Sequence, residues 1–281
     1  IIGRGSDEVM HFLAVAYLEA GDEVVMGDPP FSMYEISTLL MGATPVKVKL
    51  RGDYAHDLEA MAKAVTPATK VVYLANPHNP TGAMNTTAEV EAFVNATPPH
   101  VIVVLDEAYC EYVTGDDYPD SLQYVREGRN VIVMRTFSKI YALAGLRVGY
   151  GVTARTEMLQ AMRQVAEPFN VCNLGQWAAI ASLADPEQVP RSVAANEAGK
   201  AYLYAELERM GLPYVPTQSN FLLLDTKKPC RDVFGKLLRR GVIVRTGDVF
   251  GYPTMIRVTI GAAEENARFI ATLEAVLAEI D

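Results

Sequence analysis

Thr136-Phe137-Ser138-Lys139, followed by Ala144-Gly145-Leu146-Arg147, puts a lysine just after the apolar run Val131-Ile132-Val133-Met134. Two hydroxyls precede the lysine and an arginine follows it. Burial disfavours an ammonium ion, so a lysine at that place can lose its proton and become a nucleophilic amine. Thr136, Ser138 and Arg147 can meanwhile grip an anion beside it. The plainer alternative is a lysine that merely follows a strand.

Other segments carry compatible chemistry. Gly3-Arg4-Gly5-Ser6-Asp7-Glu8 precedes a helical pattern. The free amides of a first helical turn bind phosphate, although Ser6 or Asp7 could equally be an ordinary N-cap. Asn76-Pro77-His78-Asn79-Pro80-Thr81-Gly82 follows a strand pattern and forms a stiff loop that can aim Asn79. His78 reads as solvent-facing or locally bonded. Asp106-Glu107-Ala108-Tyr109 ends another strand. Asp106 is there either a buried, paired carboxylate or a surface cap, and Tyr109 could reach the same ligand. Glu107 is expected to serve structure. Arg245 and Arg257 lie at the ends of apolar strands and suit carboxylate or phosphate, but each could be a structural ion pair. Asn220 is open to the same two readings. Phe31, after Pro29-Pro30, could stack on a flat ring or belong to the core.

Composition narrows the field. The 281 residues are 50% hydrophobic, enough for a sizeable core, and carry a formal charge of −9 with scattered basic residues. A phosphate-backbone binder wants a basic stripe, so nucleic acid is not an expected partner. No apolar run approaches the roughly 20 residues of a membrane span, and no signal-peptide pattern is present. Cys110, Cys172 and Cys230 are far apart without CxxC spacing, which argues for a reducing, cytoplasmic setting and against a metal site.

Short β-branched runs alternate with amphipathic segments in the first half. Strands are expected at 23–27, 44–48, 70–75, 100–105, 131–136 and 147–152. Helices are expected at 7–20, 32–41, 57–65, 86–95, 154–165 and 174–183. That alternation predicts an α/β fold: a three-layer α/β/α, mostly parallel sheet. From about Pro190 the order changes to a long helix over 193–210 stopped by Gly211, strand 220–225, helix 231–240, strands 242–244 and 255–260, and helix 264–279. A large domain over 1–185 and a smaller C-terminal α+β domain over 186–281 are expected. Ile1-Ile2-Gly3 reads as entering a turn directly, in a chain lacking its natural N-terminus.

In this order, Gly5-Ser6-Asp7-Glu8, Pro30-Phe31-Ser32-Met33-Tyr34, Asn79-Pro80-Thr81-Gly82, Asp106-Glu107-Ala108-Tyr109, Thr136–Lys139, Gly145-Leu146-Arg147 and Arg257 resemble the fold-type I pyridoxal-phosphate (PLP) aminotransferases. Within these, the similarity is to the histidinol-phosphate aminotransferase branch. The resemblance implies that Lys139 holds PLP as a Schiff base and shuttles a proton, while Asp106 pairs with the ring nitrogen. It implies that Asn79 and Tyr109 hold the ring 3-oxygen and that Phe31 covers one face. Ser6, the Asp7 amide, Thr136, Ser138 and Arg147 would hold the phosphate. Arg257 would take an α-carboxylate, Arg245 a distal phosphate, and Asn220 would line the same pocket. The implied reaction is transamination between an amino donor, histidinol phosphate, and a 2-oxo acid such as 2-oxoglutarate, in a homodimer of histidine biosynthesis. An aromatic aminotransferase, a decarboxylase, a carbon–sulfur lyase and a non-catalytic cofactor-binding remnant share these residues. Relatives have a segment before the Gly-Ser-Asp-Glu turn that closes the pocket and reaches the neighbouring subunit, and apolar surface it would cover is expected to be exposed.

Overall fold

The computed structural model describes residues 1–280. Its strands are β1 (Ile2–Gly3), β2 (Glu23–Asp28), β3 (Thr44–Lys49), β4 (Thr69–Ala75), β5 (Ile102–Asp106), β6 (Val131–Thr136), β7 (Gly149–Val152), β8 (Tyr214–Val215), β9 (Phe221–Asp225), β10 (Arg245–Thr246) and β11 (Met255–Thr259). Its helices are α1 (Ser6–Tyr17), α2 (Ser32–Leu40), α3 (Leu58–Lys63), α4 (Thr87–Ala96), α5 (Ser121–Arg126), α6 (Thr156–Val165), α7 (Asn173–Ala184), α8 (Gln188–Arg209), α9 (Cys230–Arg239) and α10 (Ala263–Leu277).

The first seven strands form one sheet in the order β1-β7-β6-β5-β4-β2-β3. Pairings from β3 through β6 are parallel, and β7 runs antiparallel to both β6 and β1. Alternation along the strands explains their apolar composition. Val24, Met26, Val71, Tyr73, Ile102, Val104, Ile132 and Met134 pack on one face with Phe12 and Leu13 of α1 and Met158 and Met162 of α6. Their neighbours Val25, Val72, Leu74, Val103, Leu105 and Val133 pack on the other face with Met61 of α3 and Val90, Phe93 and Val94 of α4. Both faces are covered, so the strands need apolar side chains in both directions. A second, four-stranded antiparallel sheet has the order β10-β11-β9-β8. It shares a separate core with α8, α9 and α10, built on Leu203, Leu207, Leu222, Leu224, Val233, Leu237, Phe269 and Leu273.

Several expected elements differ. Residues 242–244 are not a strand: the Val242 amide bonds the Leu237 carbonyl at 3.0 Å and closes α9, so pairing begins only at Arg245. The long helix starts at Gln188 rather than 193, because Pro190 sits in its first turn, where a missing amide costs nothing. Ile1-Ile2-Gly3 does not enter a turn directly. Ile2 and Gly3 pair with Tyr150 and Gly149, and the Ile1 and Gly151 backbones exchange hydrogen bonds of 3.0 and 2.9 Å. The strand expected from Arg147 begins at Gly149, since Arg147 has left-handed backbone (φ 53°).

Candidate active site

The carboxyl ends of the parallel strands and the loops that follow them surround one cavity of about 160 Å³. A single water needs on the order of 10–15 Å³ of such space, so there is room for a substituted ring bearing a phosphate. Its walls include Gly5, Ser6, Asp7, Phe31, Tyr34, Asn79, Asp106, Tyr109, Thr136, Ser138, Lys139 and Arg147. Every residue expected from the sequence to touch the cofactor lines this one space.

Asp106 ends β5 and is buried. One carboxylate oxygen accepts the Tyr34 hydroxyl at 2.6 Å, and the other accepts the Ala108 amide at 3.2 Å. Burial pushes its pKa up to about 6, against the pull of the Tyr34 bond. Lys139 is two residues beyond Phe137, and its Nζ lies 5.4 Å from the centre of the Tyr109 ring. Burial lowers its pKa, helped by Arg257 and opposed by Asp106. A lysine held this way offers its neutral amine far more readily than one in water.

The anion-gripping side is built on the start of α1. Ser6 and Asp7 are its first residues, with amides that no helical carbonyl satisfies. Gly5 precedes them at φ 81°, and a Cβ there would sit 2.6 Å from the Arg147 guanidinium. Only glycine gives both the backbone and the space. Arg147 donates to Asp7 at 3.2 Å and to the carbonyls of Ala144 and Arg4 at 3.2 and 3.1 Å, and lies 3.5 Å from the Ser138 hydroxyl. Thr136 bonds Ser138 at 3.0 Å. Hydroxyls, free amides and a guanidinium thus converge, a donor set suited to a phosphate.

On the opposite wall the Asn79 amide nitrogen lies 3.5 Å from the Tyr109 hydroxyl, and Arg257 donates to the Asn79 side-chain oxygen. Phe31 meets Tyr34 edge-on, with centroids 5.5 Å apart. The three expected substrate contacts are spread out. Arg257 reaches the cavity wall through Asn79. Arg245 lines a neighbouring basin of about 690 Å³ together with Lys47, Lys49 and Arg51 and the carboxylates Asp28 and Glu35, with Lys47 paired to Glu35 and Arg51 to Asp53 and Glu89. Asn220 does not line the cavity with Lys139; it directly precedes β9, and its carbonyl accepts the Ile260 amide at 2.9 Å.

Two residues escaped the sequence reading. Tyr34 bonds Asp106, and its spacing of three from Phe31 at a helix start places both on one side, a signal present in the sequence. Phe221 lies 5.1 Å edge-on to Tyr109 and 4.9 Å from the Arg257 guanidinium carbon, packing beneath both. Of the two readings of His78 the structure has the locally bonded one, with the ring buried. Its ring bonds Thr81 at 2.9 Å and the Pro29 carbonyl at 3.1 Å, tying two site loops together. Glu107 forms a buried ion pair with Arg135 at 2.8 Å, a structural part as expected.

The chain is similar to known proteins over nearly its whole length. Residues 1–273 match the model of the family described as aminotransferase class I and II. The histidinol-phosphate aminotransferase of Moorella thermoacetica is 52% identical over 279 residues, covering 99% of this chain and 72% of that protein. The structure of histidinol-phosphate aminotransferase from Sinorhizobium meliloti in complex with pyridoxal-5'-phosphate superposes with a TM-score of 0.92 at 30% identity, covering 99% of this chain and 76% of that one. An aspartate aminotransferase from Thermus thermophilus with maleate gives 0.88 at 25% identity, covering 99% and 75%. The chain belongs to the class I and II aminotransferase family.

Proposed function

We propose that this protein is a PLP-dependent aminotransferase that takes L-histidinol phosphate as amino donor and 2-oxoglutarate as acceptor, in histidine biosynthesis. The observation that carries the reading is the convergence of Lys139, Asp106 and the Arg147 cradle on one cavity, with Arg245 in a basin close by. The relatives' names support the substrate, whereas the likeness to an aspartate aminotransferase means that the fold alone does not choose it.

When bound, PLP supplies an aldehyde for the amines and a ring that withdraws electrons from the donor's α-carbon. Ser6, the Asp7 amide, Thr136, Ser138 and Arg147 hold its phosphate. Asn79 and Tyr109 orient the 3-oxygen, Phe31 covers one face, and Asp106 keeps a proton on the ring nitrogen. Lys139, favoured as the neutral amine, takes the α-proton and returns it on the other side of the transferred group. Arg257 binds the α-carboxylate of the amino-acid partner, and Arg245 binds the donor's distal phosphate. Asn220, whose carbonyl accepts the Ile260 amide, supports the strand that carries Phe221. Residues 1–185 act as the cofactor-binding domain and 186–281 as the smaller domain that brings Arg245 and Arg257.

The protein works as a homodimer in the cytoplasm. What supports the pairing is an apolar stripe that winds along α7: Leu174, Trp177, Ile180 and Leu183 follow one another at intervals of three and are 75, 70, 60 and 64% exposed. A second copy covers this stripe, and sedimentation would read twice the chain mass. Among the described residues no helix is long and apolar enough to cross a membrane.

Single-turnover rates with histidinol phosphate, phenylalanine and glutamate test the donor. Histidinol phosphate should react fastest; equal rates for phosphate-free donors would refute the assignment.

A further inference from the structure

We propose that Tyr34 is a positioning residue for the cofactor: its buried phenol fixes the Asp106 carboxylate, in orientation and as the anion, for the ring nitrogen. The inference rests on the PLP reading above and concerns a residue that reading does not use.

The geometry is specific. Tyr34 is 2% exposed, and its hydroxyl donates to one Asp106 oxygen at 2.6 Å. Its ring is clamped on both sides. It stacks on Tyr73 with centroids 4.3 Å apart and planes 4° from parallel, and it meets Phe31 edge-on at 85°. At its backbone the Tyr34 carbonyl accepts the Thr38 hydroxyl at 2.7 Å. The phenol therefore has little freedom to point elsewhere, and the carboxylate plane is set by the phenol on one oxygen and the Ala108 amide on the other. A carboxylate oxygen offers two acceptor positions, so lone pairs remain for a ligand.

The charge argument points the same way. A carboxyl buried this deeply without donors would hold its proton at neutral pH, and a neutral acid cannot balance a protonated ring nitrogen. Facing Asp106 are Lys139, which favours the anion, Asp7, which opposes it, and the phenols of Tyr34, Tyr73 and Tyr109. Of the phenols, Tyr34 is the one that donates to the carboxylate, and burial holds its own proton firmly, so the proton stays on the phenol. Tyr73 contributes its ring face; its hydroxyl has no partner among the described residues.

The test is a double-mutant cycle read by equilibrium PLP binding to the apo-protein, followed by absorbance, with Tyr34→Phe, Asp106→Asn and the double variant. Tyr34→Phe is expected to weaken PLP binding roughly 10- to 100-fold, the scale of one hydrogen bond to a charged group. The same variant, labelled for carboxyl NMR without PLP, should show the Asp106 midpoint raised by about 1–2 units. In the Asp106→Asn background the Tyr34→Phe loss should vanish, because no carboxylate remains to be held. Tyr34→His, which restores an N–H donor, should regain part of the affinity, and serves as the probe if Tyr34→Phe melts far below the wild type. Wild-type affinity and midpoint in Tyr34→Phe, or losses that simply add in the double variant, would overturn the proposal alone. Failure of the wild-type protein to take up PLP would overturn the cofactor reading and the proposal with it.

Discussion

Arg245 and Arg257 are direct cross-strand partners on β10 and β11, and their guanidinium carbons lie 5.9 and 5.6 Å from the centre of the same Phe250 ring. Two cations held beside one aromatic face need an anion between or near them. Burial already works against the charge on Arg257, opposed by Tyr109 and aided to a smaller extent by Arg245. Among the described residues, neither arginine makes an ion pair with a carboxylate. Arg245→Ala should therefore lower kcat/KM for histidinol phosphate about 10- to 100-fold while leaving phenylalanine within about threefold, since phenylalanine has no distal anion to present to the basin. Steady-state kinetics on both donors checks this; equal losses would assign Arg245 to structure.

Gly5→Ala should weaken PLP binding by about tenfold or more. The new methyl meets the Arg147 guanidinium at 2.6 Å, and the backbone stays at a φ of 81° that alanine resists. An absorbance titration reads the loss. Wild-type affinity would mean that Arg147 can move aside without harm to the cradle.

Glu107 and Arg135 make a test of stability. Burial raises the Glu107 pKa even though Arg135 pulls it down, so burial outweighs the pair there. Arg135→Met should cost about 2–3 kcal/mol, at the low end for a broken buried pair because its side chain is 26% exposed. Adding Glu107→Gln should recover part of that loss in urea unfolding. A double variant no more stable than Arg135→Met would contradict this.

The site should also lose stability in acid through His56 and His78, whose rings lie 4.5 Å apart. Burial lowers the His56 pKa from 6.5 to about 4, and burial with His56 nearby lowers that of His78 well below 6.5. Between about pH 6.5 and 4 the unfolded chain binds a proton at His56 that the folded chain refuses, so this contribution falls as pH falls. Asp106 acts oppositely: with its pKa raised from 3.8 to about 6, the folded state binds the extra proton, and stability falls as pH rises through that window. The clean reading is a difference. From pH 7 to 4.5, His56→Gln should lose less stability than the wild type, by up to about 3 kcal/mol. A gap independent of pH would contradict the buried neutral histidine.

Much of this was legible in the residues. Runs such as Val131–Thr136 are apolar on both faces because helices cover both faces, and a two-sided core leaves that mark in sequence. The cavity-lining residues were legible because they sit just past such runs, where a parallel sheet exposes its strand ends. What escaped was set by contacts distant in the chain. Val242 reads as a strand residue until the Leu237 carbonyl claims its amide. His78 is readable as locally bonded, as it is to Thr81, but its burial under Pro29, far off in sequence, is not. Tyr34 was quoted within a motif without a role, because its partner Asp106 is 72 residues away. Asn220 shows the converse: a polar residue just before a strand that does not line the cavity with Lys139.

The most direct test is borohydride reduction of the PLP-loaded protein, followed by peptide mass analysis, in the wild type and in Lys139→Ala. The expected result is a visible band that disappears on reduction, with one cofactor fixed to the peptide containing Lys139 and none fixed in the variant. A band that survives reduction, fixation at another lysine, or no band with excess PLP would contradict the role given to Lys139.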